Sequence, residues 1–280
     1  MSPVQNRTAR PAVSLLELLV VIAILAVMLG LLLSAIQNTR RAAQRVKSLN
    51  NLRQIILASH NFADTNDGRL PAVVNRVGSG YRGGVFEDIL PLIEQGNLYR
   101  DVLRGGHLNR VHVFVNPEDP TISLENISAT ACSYAANAQL FFDGPKFTSI
   151  TDGTSNTIAF AEHYARCQGE DFSWTMGYNM GAGHRATFAE SDRLGFPVWP
   201  DVYPVTKGNP PVSYASMGGW TFQAAPPVDK CALWVAQSAN PAGMEIALAD
   251  GSVRLINPAI AETVYWSLVT PRGGEVIPDY

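Results

Sequence analysis

An uncharged apolar run near the N-terminus constrains this chain more than any other feature. Leu18–Ile36 contains nineteen residues and no Asp, Glu, Lys or Arg. As an α-helix, a run of this length extends about 28 Å, which matches a bilayer hydrocarbon core of about 30 Å. A cleaved secretory signal typically has a shorter apolar region and ends in small residues at a cleavage site, which this run lacks. The run therefore predicts a transmembrane helix.

Glu17 stands immediately before this run and is the only acid before Asp64. An acid at the edge of an apolar span costs a few kcal/mol on insertion scales, so it usually has a partner. The sequence thus indicates more than a simple signal anchor, which is the main alternative.

The segment Arg10–Glu17 (RPAVSLLE) resembles the N-terminal cleavage and methylation motif of type IV prepilins and type II secretion pseudopilins. In that family a prepilin peptidase removes a short basic leader, the new N-terminus is methylated, and a Glu occupies the fifth mature position. The resemblance implies cleavage between Ala12 and Val13, methylation of Val13, and a role in assembly for Glu17. The amine of Val13 in one subunit can then neutralise Glu17 of a neighbour. Ala12 stands where the family usually has Gly, and Val13 stands where it often has Phe.

A basic segment follows the apolar run. Its members are Arg40, Arg41, Arg45, Lys47 and Arg53. We expect these side chains to meet anionic headgroups or neighbouring subunits. A simple positive-inside count places this segment in the cytoplasm, whereas the prepilin resemblance implies a single-pass inner-membrane protein with its body outside the cytoplasm.

The helix is predicted to continue beyond the membrane. Apolar residues recur at helical spacing at Val46, Leu49, Leu52, Ile56 and Phe62, with Arg45, Lys47 and Arg53 off that stripe. Gly68 and Pro71 supply a stop signal. These features predict a leader over residues 1–12, one long helix over 13–66 with its membrane segment at about 18–36, and a globular domain over 67–280.

The globular domain alternates turn residues with short β-like runs. Strands are predicted at 111–115 and 157–161, and a hairpin is predicted at 245–256. The Asp250-Gly251 pair of that hairpin predicts a two-residue turn with positive φ. Residues 86–103 read as helical with a break at Pro91, and Asn257-Pro258 predicts the start of a short C-terminal helix. The fold class is therefore α+β and pilin-like, with a long N-terminal helix packed on a β-rich, mostly antiparallel domain.

The same domain resembles the bacterial domain-of-unknown-function family 1559, which follows prepilin stems. The similar segments are 51–55, 60–62, 89–99, 133–137 and 150–157. Ala249–Val253 resembles that family's C-terminal element, in which nine residues separate a His from Asp-Gly, although Asn240 occupies the His position. Asn116–Pro120 stands where the family often has Cys-Pro-Ser-Asp-Pro. The resemblance implies a surface or secretion-related pseudopilin-like protein and gives no substrate.

The sequence offers no motif for catalysis. The five histidines lack metal-binding spacing, and Ser155 lacks the final Gly of a nucleophile elbow. We therefore predict a protein that is not an enzyme and has no cofactor. An Asp-Gly turn can contribute oxygen ligands to calcium, but a plain hairpin turn is the preferred interpretation of Asp250. Cys132, Cys167 and Cys231 permit either one disulfide with a thiol left over or three buried thiols.

These features together predict a pilin or pseudopilin-like structural subunit of a pilus-like or type II secretion-associated filament. Its expected partners are prepilin peptidase, other pilin-like subunits and the inner membrane. The residues from Asp64 onward contain 14 basic and 23 acidic residues, which excludes nucleic-acid binding by bulk charge. A weaker alternative is an enzyme whose site is assembled from scattered carboxylates. The main alternative from another class is a membrane-anchored extracytoplasmic binding module. In that case Trp174, Trp199, Trp220 and Trp234 would recognise glycan if they are exposed, whereas core positions are expected for them.

Overall fold

The computed structural model describes residues 15–73, 75–77, 80–82, 84–142, 144–175, 184–189 and 220–274. It divides into two compact units, with the boundary between Gln44 and Arg45. The first helix, α1, runs over Leu15–Thr65, which confirms the predicted long N-terminal helix. It ends where Asp67 and Gly68 adopt positive φ and the Gly68 N–H donates to the carbonyl of Ala63. This is the glycine stop that the sequence indicates.

The second unit contains short helices and strands. The other α-helices are α2 (Val85–Asp88), α3 (Gly96–Leu103) and α4 (Glu262–Val269). Single 3₁₀ turns lie at Leu90–Ile93, His112–Phe114, Phe147–Ser149 and Thr154–Asn156. The strands are β1 (Asn75–Val77), β2 (Gly80–Arg82), β3 (Tyr134–Asn137), β4 (Ile158–Glu162), β5 (Arg166–Cys167), β6 (Glu170–Ser173), β7 (His184–Arg185), β8 (Thr187–Phe188), β9 (Gln223–Ala224), β10 (Gln237–Ser238), β11 (Met244–Leu248) and β12 (Val253–Ile256).

The centre of this unit is a five-stranded sheet in the order β12-β11-β4-β3-β8. The pairs β12–β11, β11–β4 and β4–β3 are antiparallel, and β3–β8 is parallel. The predicted α+β class with a mostly antiparallel sheet is confirmed. Every residue of β3, β4 and β11 is buried, as expected for strands covered on both faces.

Helices cover the two faces of the sheet. One face packs with the C-terminal part of α1, where Leu52 and Ile56 join a core that includes Phe160. The opposite face packs with α4, where Tyr265 and Leu268 join a second core. The side chains of β3 and β11 alternate between these two cores, whereas the adjacent Ala159 and Phe160 of β4 both join the first. Because both faces are buried, the sequence runs show little polar alternation.

The buried face of α1 differs from the predicted stripe. Val46, expected in the core, is 57% exposed, whereas the polar Ser48 and Asn51 are buried. Both polar side chains hydrogen-bond to the phenol oxygen of Tyr134 on β3, at 3.0 Å for Ser48 Oγ and 3.3 Å for Asn51 Nδ2. The prediction was wrong here because it selected apolar residues only, and these polar residues reach a partner inside the core.

The predicted β11–β12 hairpin is confirmed, but its turn is longer than predicted. Ala247 pairs with Val253, and Leu248 N–H donates to Ser252 O, which leaves a loop of Ala249, Asp250 and Gly251. Gly251 has a φ of +90°, and Asp250 has no positive φ. This is the three-residue loop with glycine in the left-handed position, not a two-residue turn with two positive φ angles.

Two further local predictions were wrong. The expected strand at 111–115 is instead a 3₁₀ turn, because Val111 and Phe114 both enter the core and a three-residue spacing places them on one side. The C-terminal helix begins at Glu262, not directly after Asn257. The Asn257 Oδ1 accepts from the Ala259 N–H at 2.8 Å and so closes a local turn before the helix. The helical segments expected across 86–103 are confirmed as α2, a 3₁₀ turn and α3.

Asn137 connects the end of β3 to its neighbours on both sides. Its Nδ2 donates to the carbonyls of Ile158 and Val269 at 2.7 Å each. Its Oδ1 accepts from the N–H groups of Gln139 and Leu140. The side chain thus ties the strand end to β4 and to the last turn of α4.

We expect Asn137→Ala to lower the free energy of unfolding by about 2–4 kcal/mol, because it removes the donor from two carbonyls in the interior. Asn257→Ala is the matched control, since its side chain caps an exposed turn, and should cost less than about 1 kcal/mol. Urea unfolding of the full chain in detergent, followed by circular dichroism, measures both. Equal losses in the two variants would contradict this role for Asn137.

Candidate functional site

The apolar run lies fully exposed on α1. Every large apolar side chain from Leu18 to Ile36 is between 45% and 70% exposed. The helix is long and apolar enough to span a membrane. Because a water-soluble surface seldom presents so much contiguous apolar area, this segment is compatible with single-pass membrane anchoring.

The predicted processing residues lie outside the described part of the chain. Ala12 and Val13 precede the first described residue. Glu17 lies in α1, but its side chain is not among the described parts of the chain. The cleavage, methylation and assembly roles of these residues therefore stay predictions.

The basic segment separates into two kinds of residue. Arg40, Arg41, Lys47 and Arg53 are exposed, and their contact with headgroups or neighbouring subunits stays a prediction. Arg45 is different, because its Nε lies 3.4 Å from the Oε1 of Glu245. The guanidinium of Arg45 therefore faces the body, contrary to the prediction that places it off the packed stripe.

Two carboxyl groups are buried together beneath this part of α1. Glu162 ends β4 and Glu245 lies in β11, and the register that pairs Ala161 with Ile246 makes them cross-strand neighbours. Each side chain is 1% exposed. The Oε2 of Glu162 accepts from the backbone N–H of Glu245 at 2.9 Å. Two acids in these positions repel each other if both are ionised.

Burial raises the pKa of both groups. Desolvation raises the pKa of Glu162 to about 8, and the charge of Glu245 adds to that increase. Desolvation likewise raises the pKa of Glu245 to about 7, against the opposing effects of the Ser48 hydroxyl and of Arg45. Burial also raises the pKa of Glu118, whose carboxylate is attracted by Arg45. Near neutral pH the pair therefore carries less than two negative charges.

The segment Asn116–Pro120 provides one hydrogen bond to this pair and several to the chain beside it. Asn116 Nδ2 donates to Glu162 Oε1 at 2.6 Å. Asp119, which is nearly fully buried, accepts four hydrogen bonds. They come from Thr121 N, Thr121 Oγ1, Ser133 Oγ and Ala165 N, at 2.7–2.8 Å. Burial still raises the pKa of Asp119, although these donors oppose the shift. The segment thereby connects the chain just before β3 to the chain just after β4.

The Asp250-Gly251 turn packs against α1. The ring nitrogen Nε2 of His60 lies 2.9 Å from the carbonyl oxygen of Ala249. A Cβ at Gly251 would lie 3.4 Å from the His60 Cε1 atom, so glycine permits this close approach as well as the positive φ. The Asp250 Oδ1 accepts from the Ser252 N–H at 2.8 Å. In the described ranges, no three His, Cys, Asp or Glu side chains are grouped so that they could hold a metal ion.

The cysteines and tryptophans occupy different environments. Cys167 and Cys231 form a disulfide, and Cys132 is a buried free thiol. Trp174 is buried, Trp234 is half-buried, and Trp220 is 43% exposed. Trp199 lies outside the described residues.

Sequence reasoning missed the buried carboxyl pair. Glu162 closes an apolar strand and Glu245 interrupts another, but the strand predicted at 157–161 stops before Glu162, and Glu245 was predicted only as the first residue of the hairpin. An acid inside a strand that is otherwise fully apolar is the signal that points to such a pair, because a buried acid requires a partner. The pairing itself depends on the register of β4 and β11, which the sequence does not reveal.

We expect Arg45→Gln to lower the free energy of unfolding by about 1–2 kcal/mol, because it leaves Glu245 without its cation. Lys47→Gln removes the same charge from an exposed position two residues away on α1 and should change the stability by less than about 0.5 kcal/mol. Thermal unfolding of both full-length variants in detergent compares them. Equal stability of the two variants would contradict a contribution from the Arg45–Glu245 contact.

Comparison with known proteins places the chain in a family. The sequence profile described as "Protein of unknown function (DUF1559)" matches residues 37–120 and 115–263, well over half of the chain. No curated protein and no solved structure matches the chain significantly. The matched region contains the C-terminal part of α1, the five-stranded sheet and the start of α4. The chain belongs to the DUF1559 family.

Proposed function

We propose that this protein is a pilin or pseudopilin-like structural subunit that assembles through its N-terminal helix into a pilus-like or type II secretion-associated filament. Prepilin peptidase removes residues 1–12, and the new N-terminus at Val13 is methylated. Other pilin-like subunits and the inner membrane are its partners. It has no cofactor and does not bind nucleic acid.

The observation that carries this proposal is the exposed apolar part of α1. Its large side chains are exposed throughout Leu18–Ile36, and no described residue of the same unit covers them. Lipid can cover this surface before assembly, and helices of neighbouring subunits can cover it afterwards. Glu17 at the edge of the run adds a charge that a free N-terminus of a neighbour can neutralise.

A structural role also agrees with the chemistry of the body. Its most strongly perturbed carboxyl groups, Glu162 and Glu245, are buried between α1 and the sheet, where a substrate does not reach them. Perturbed carboxyls in an open cleft would instead suggest acid–base catalysis. We therefore propose that the protein is not an enzyme.

The Cys167–Cys231 disulfide supports an extracytoplasmic body. Disulfides persist in oxidising compartments and are uncommon in the cytoplasm. This argument agrees with the prepilin topology and opposes the simple positive-inside count. Arg45 is one of the residues in that count, but it faces Glu245 of the body and is therefore weaker evidence for a cytoplasmic location.

Mass spectrometry of the protein from native membranes tests the processing step. We expect a mature chain that starts at methylated Val13. Glu17→Ala should still be cleaved but should reduce the filament fraction at least about tenfold, corresponding to about 1.4 kcal/mol per subunit contact. Glu94→Ala, an acid on the body, is the matched control and should assemble normally. An unprocessed chain that retains Arg7 and Arg10 would contradict the proposal.

A second candidate is supported by one observation on the body. Trp220 is 43% exposed, its carbonyl accepts from the Trp266 Nε1–H at 3.1 Å, and Trp266 is half-buried. Such an aromatic surface can stack on sugar rings. An anchored glycan-binding module that does not assemble is thus the function that an unprocessed chain would favour.

Differential alkylation tests the compartment. In protein taken from native membranes and denatured without reductant, we expect only Cys132 to react, because Cys167 and Cys231 are bonded to each other. Reduction should expose two further thiols. Cys132→Ser provides the control, since it should show no labelling before reduction. Three reactive thiols without reduction would indicate a reducing compartment and a cytoplasmic body.

A further inference from the structure

The buried Ser238 hydroxyl lies within hydrogen-bond distance of two oxygen atoms, each of which can accept its hydrogen. Ser238 Oγ is 2.7 Å from the carbonyl oxygen of Gly243 and 2.8 Å from Glu162 Oε2. The backbone N–H of Asn240 also donates to Ser238 Oγ at 3.0 Å. All three distances lie in the ordinary range for hydrogen bonds.

A proton count decides how these atoms can be arranged. A serine hydroxyl has one hydrogen and two lone pairs, and a backbone carbonyl can only accept. If Glu162 is ionised, its Oε2 and the Gly243 carbonyl both need the single hydrogen of Ser238. A proton on Glu162 Oε2 removes this conflict, because Glu162 then donates to Ser238 and Ser238 donates to Gly243.

The remaining contacts of Glu162 agree with this arrangement. Its Oε1 still accepts from Asn116 Nδ2, and Oε2 retains a lone pair for the Glu245 N–H. Ser238 Oγ then donates one hydrogen bond and accepts two, from Asn240 and Glu162, which is its full capacity. Every atom of this chain of hydrogen bonds has a partner of the correct kind.

The charges around the pair also favour a protonated Glu162. Glu162 faces Glu245 on β11, Tyr134 on β3, Glu118 on the 116–120 segment and Tyr164 just after β4. Arg45 on α1 is the cation beside these groups in the described part of the chain, and it lies against Glu245. One cation offsets the charge of one carboxylate. Arg45 therefore balances the charge of this pair if Glu245 is ionised and Glu162 is neutral.

We propose that Glu162 is a buried proton-binding site that is occupied at neutral pH, where its carboxylic acid donates to Ser238 and leaves Glu245 as the ionised partner of Arg45. Loss of this proton in mildly alkaline solution places two carboxylates side by side under α1. The packing of residues 45–56 of α1 on the sheet is then weakened. This inference concerns the body alone and does not depend on the proposed function.

The direction of the pH effect follows from linkage. The pKa of Glu162 is raised from 4.5 to about 8 on folding, so the folded protein binds this proton more tightly than the unfolded chain. The stabilising contribution is complete below pH 4.5 and is lost as the pH rises through about 8. Within that window the unfolding equilibrium constant should increase by up to about tenfold per pH unit from this one group.

Infrared spectroscopy of the full chain in detergent and deuterated buffer tests the proposal directly. A protonated carboxyl group gives a carbonyl stretch above the amide band. We expect this band at neutral pH in the wild type and in Glu245→Gln, and we expect Glu162→Gln to reduce it to what the other buried acids, Glu245 and Asp119, contribute. It should also disappear from the wild-type spectrum as the pH rises through about 8.

Other outcomes overturn the proposal. Absence of the band from the wild type at neutral pH shows that Glu162 is ionised. Loss of the band in Glu245→Gln alone assigns the proton to Glu245, and a band that is undiminished in Glu162→Gln assigns it to another group, such as Asp119. If Glu162→Gln does not fold, the wild-type pH titration and the Glu245→Gln spectrum still decide between Glu162 and Glu245.

Urea unfolding at several pH values provides the second measurement. Between pH 5 and about 8, the wild type should lose stability relative to Glu162→Gln at each step, as the linkage requires. Glu118→Gln is the matched control, because it removes a half-buried acid of the same cluster that makes no contact with Ser238. Its pH profile should retain the wild-type decline, and parallel profiles of the wild type and Glu162→Gln would refute the proposal.

Discussion

The packing of residues 45–65 of α1 on one face of the five-stranded sheet is the contact on which the rest of the body depends. Leu52, Ile55 and Ile56 are fully or almost fully buried there. At about 25 cal/mol per Å² of apolar area, three such side chains contribute several kcal/mol, which is comparable to the net stability of a whole domain. Because α4 covers the opposite face, the sheet has two buried surfaces, and its central strands β3, β4 and β11 are fully buried and mostly apolar.

Polar side chains fix the geometry of this contact. Ser48 and Asn51 meet Tyr134, His60 meets the carbonyl of Ala249, and Arg45 meets Glu245. Apolar packing alone tolerates small shifts along a helix, whereas each of these contacts requires one position of α1. Their spacing along α1 covers four turns, so together they define the register of the helix on the sheet.

The family segments acquire physical meaning from this arrangement. Asn137 ties β3 to β4 and α4, and Asp119 accepts four hydrogen bonds from three segments. Gly251 allows His60 to approach the β11–β12 turn. Where the family often has Cys, Asn116 donates to Glu162 instead. Asn137 and His60, which lie in the similar segments, therefore help to maintain the fold.

The sequence was sufficient for features that depend on local rules, and it failed where a distant partner decides. The long helix, its glycine stop, the β11–β12 hairpin and the helical segments around Pro91 all follow from spacing and turn residues. The prediction placed Val46 on the packed side of α1 and did not select Ser48, because the partner of Ser48, Tyr134, is 86 residues away. The pairing of Glu162 with Glu245 likewise depends on strand register. The three-residue turn at Asp250 reflects contacts of its N–H group with Thr154, which a hairpin pattern does not contain.

The buried acids carry a cost that purely apolar residues would avoid, so their retention needs a physical reason. A neutral Glu162 offers both a donor and acceptors, and it satisfies Ser238, Asn116 and the Glu245 N–H at once. An apolar residue at this position would leave those groups unpaired, and each unpaired group costs about 1–3 kcal/mol. The carboxylic acid is thus the side chain that completes the network without adding a second charge. Glu245 and Arg45 then form one ion pair at the start of the part of α1 that packs on the sheet. The packing of that helix is thereby coupled to the protonation of Glu162 beneath it.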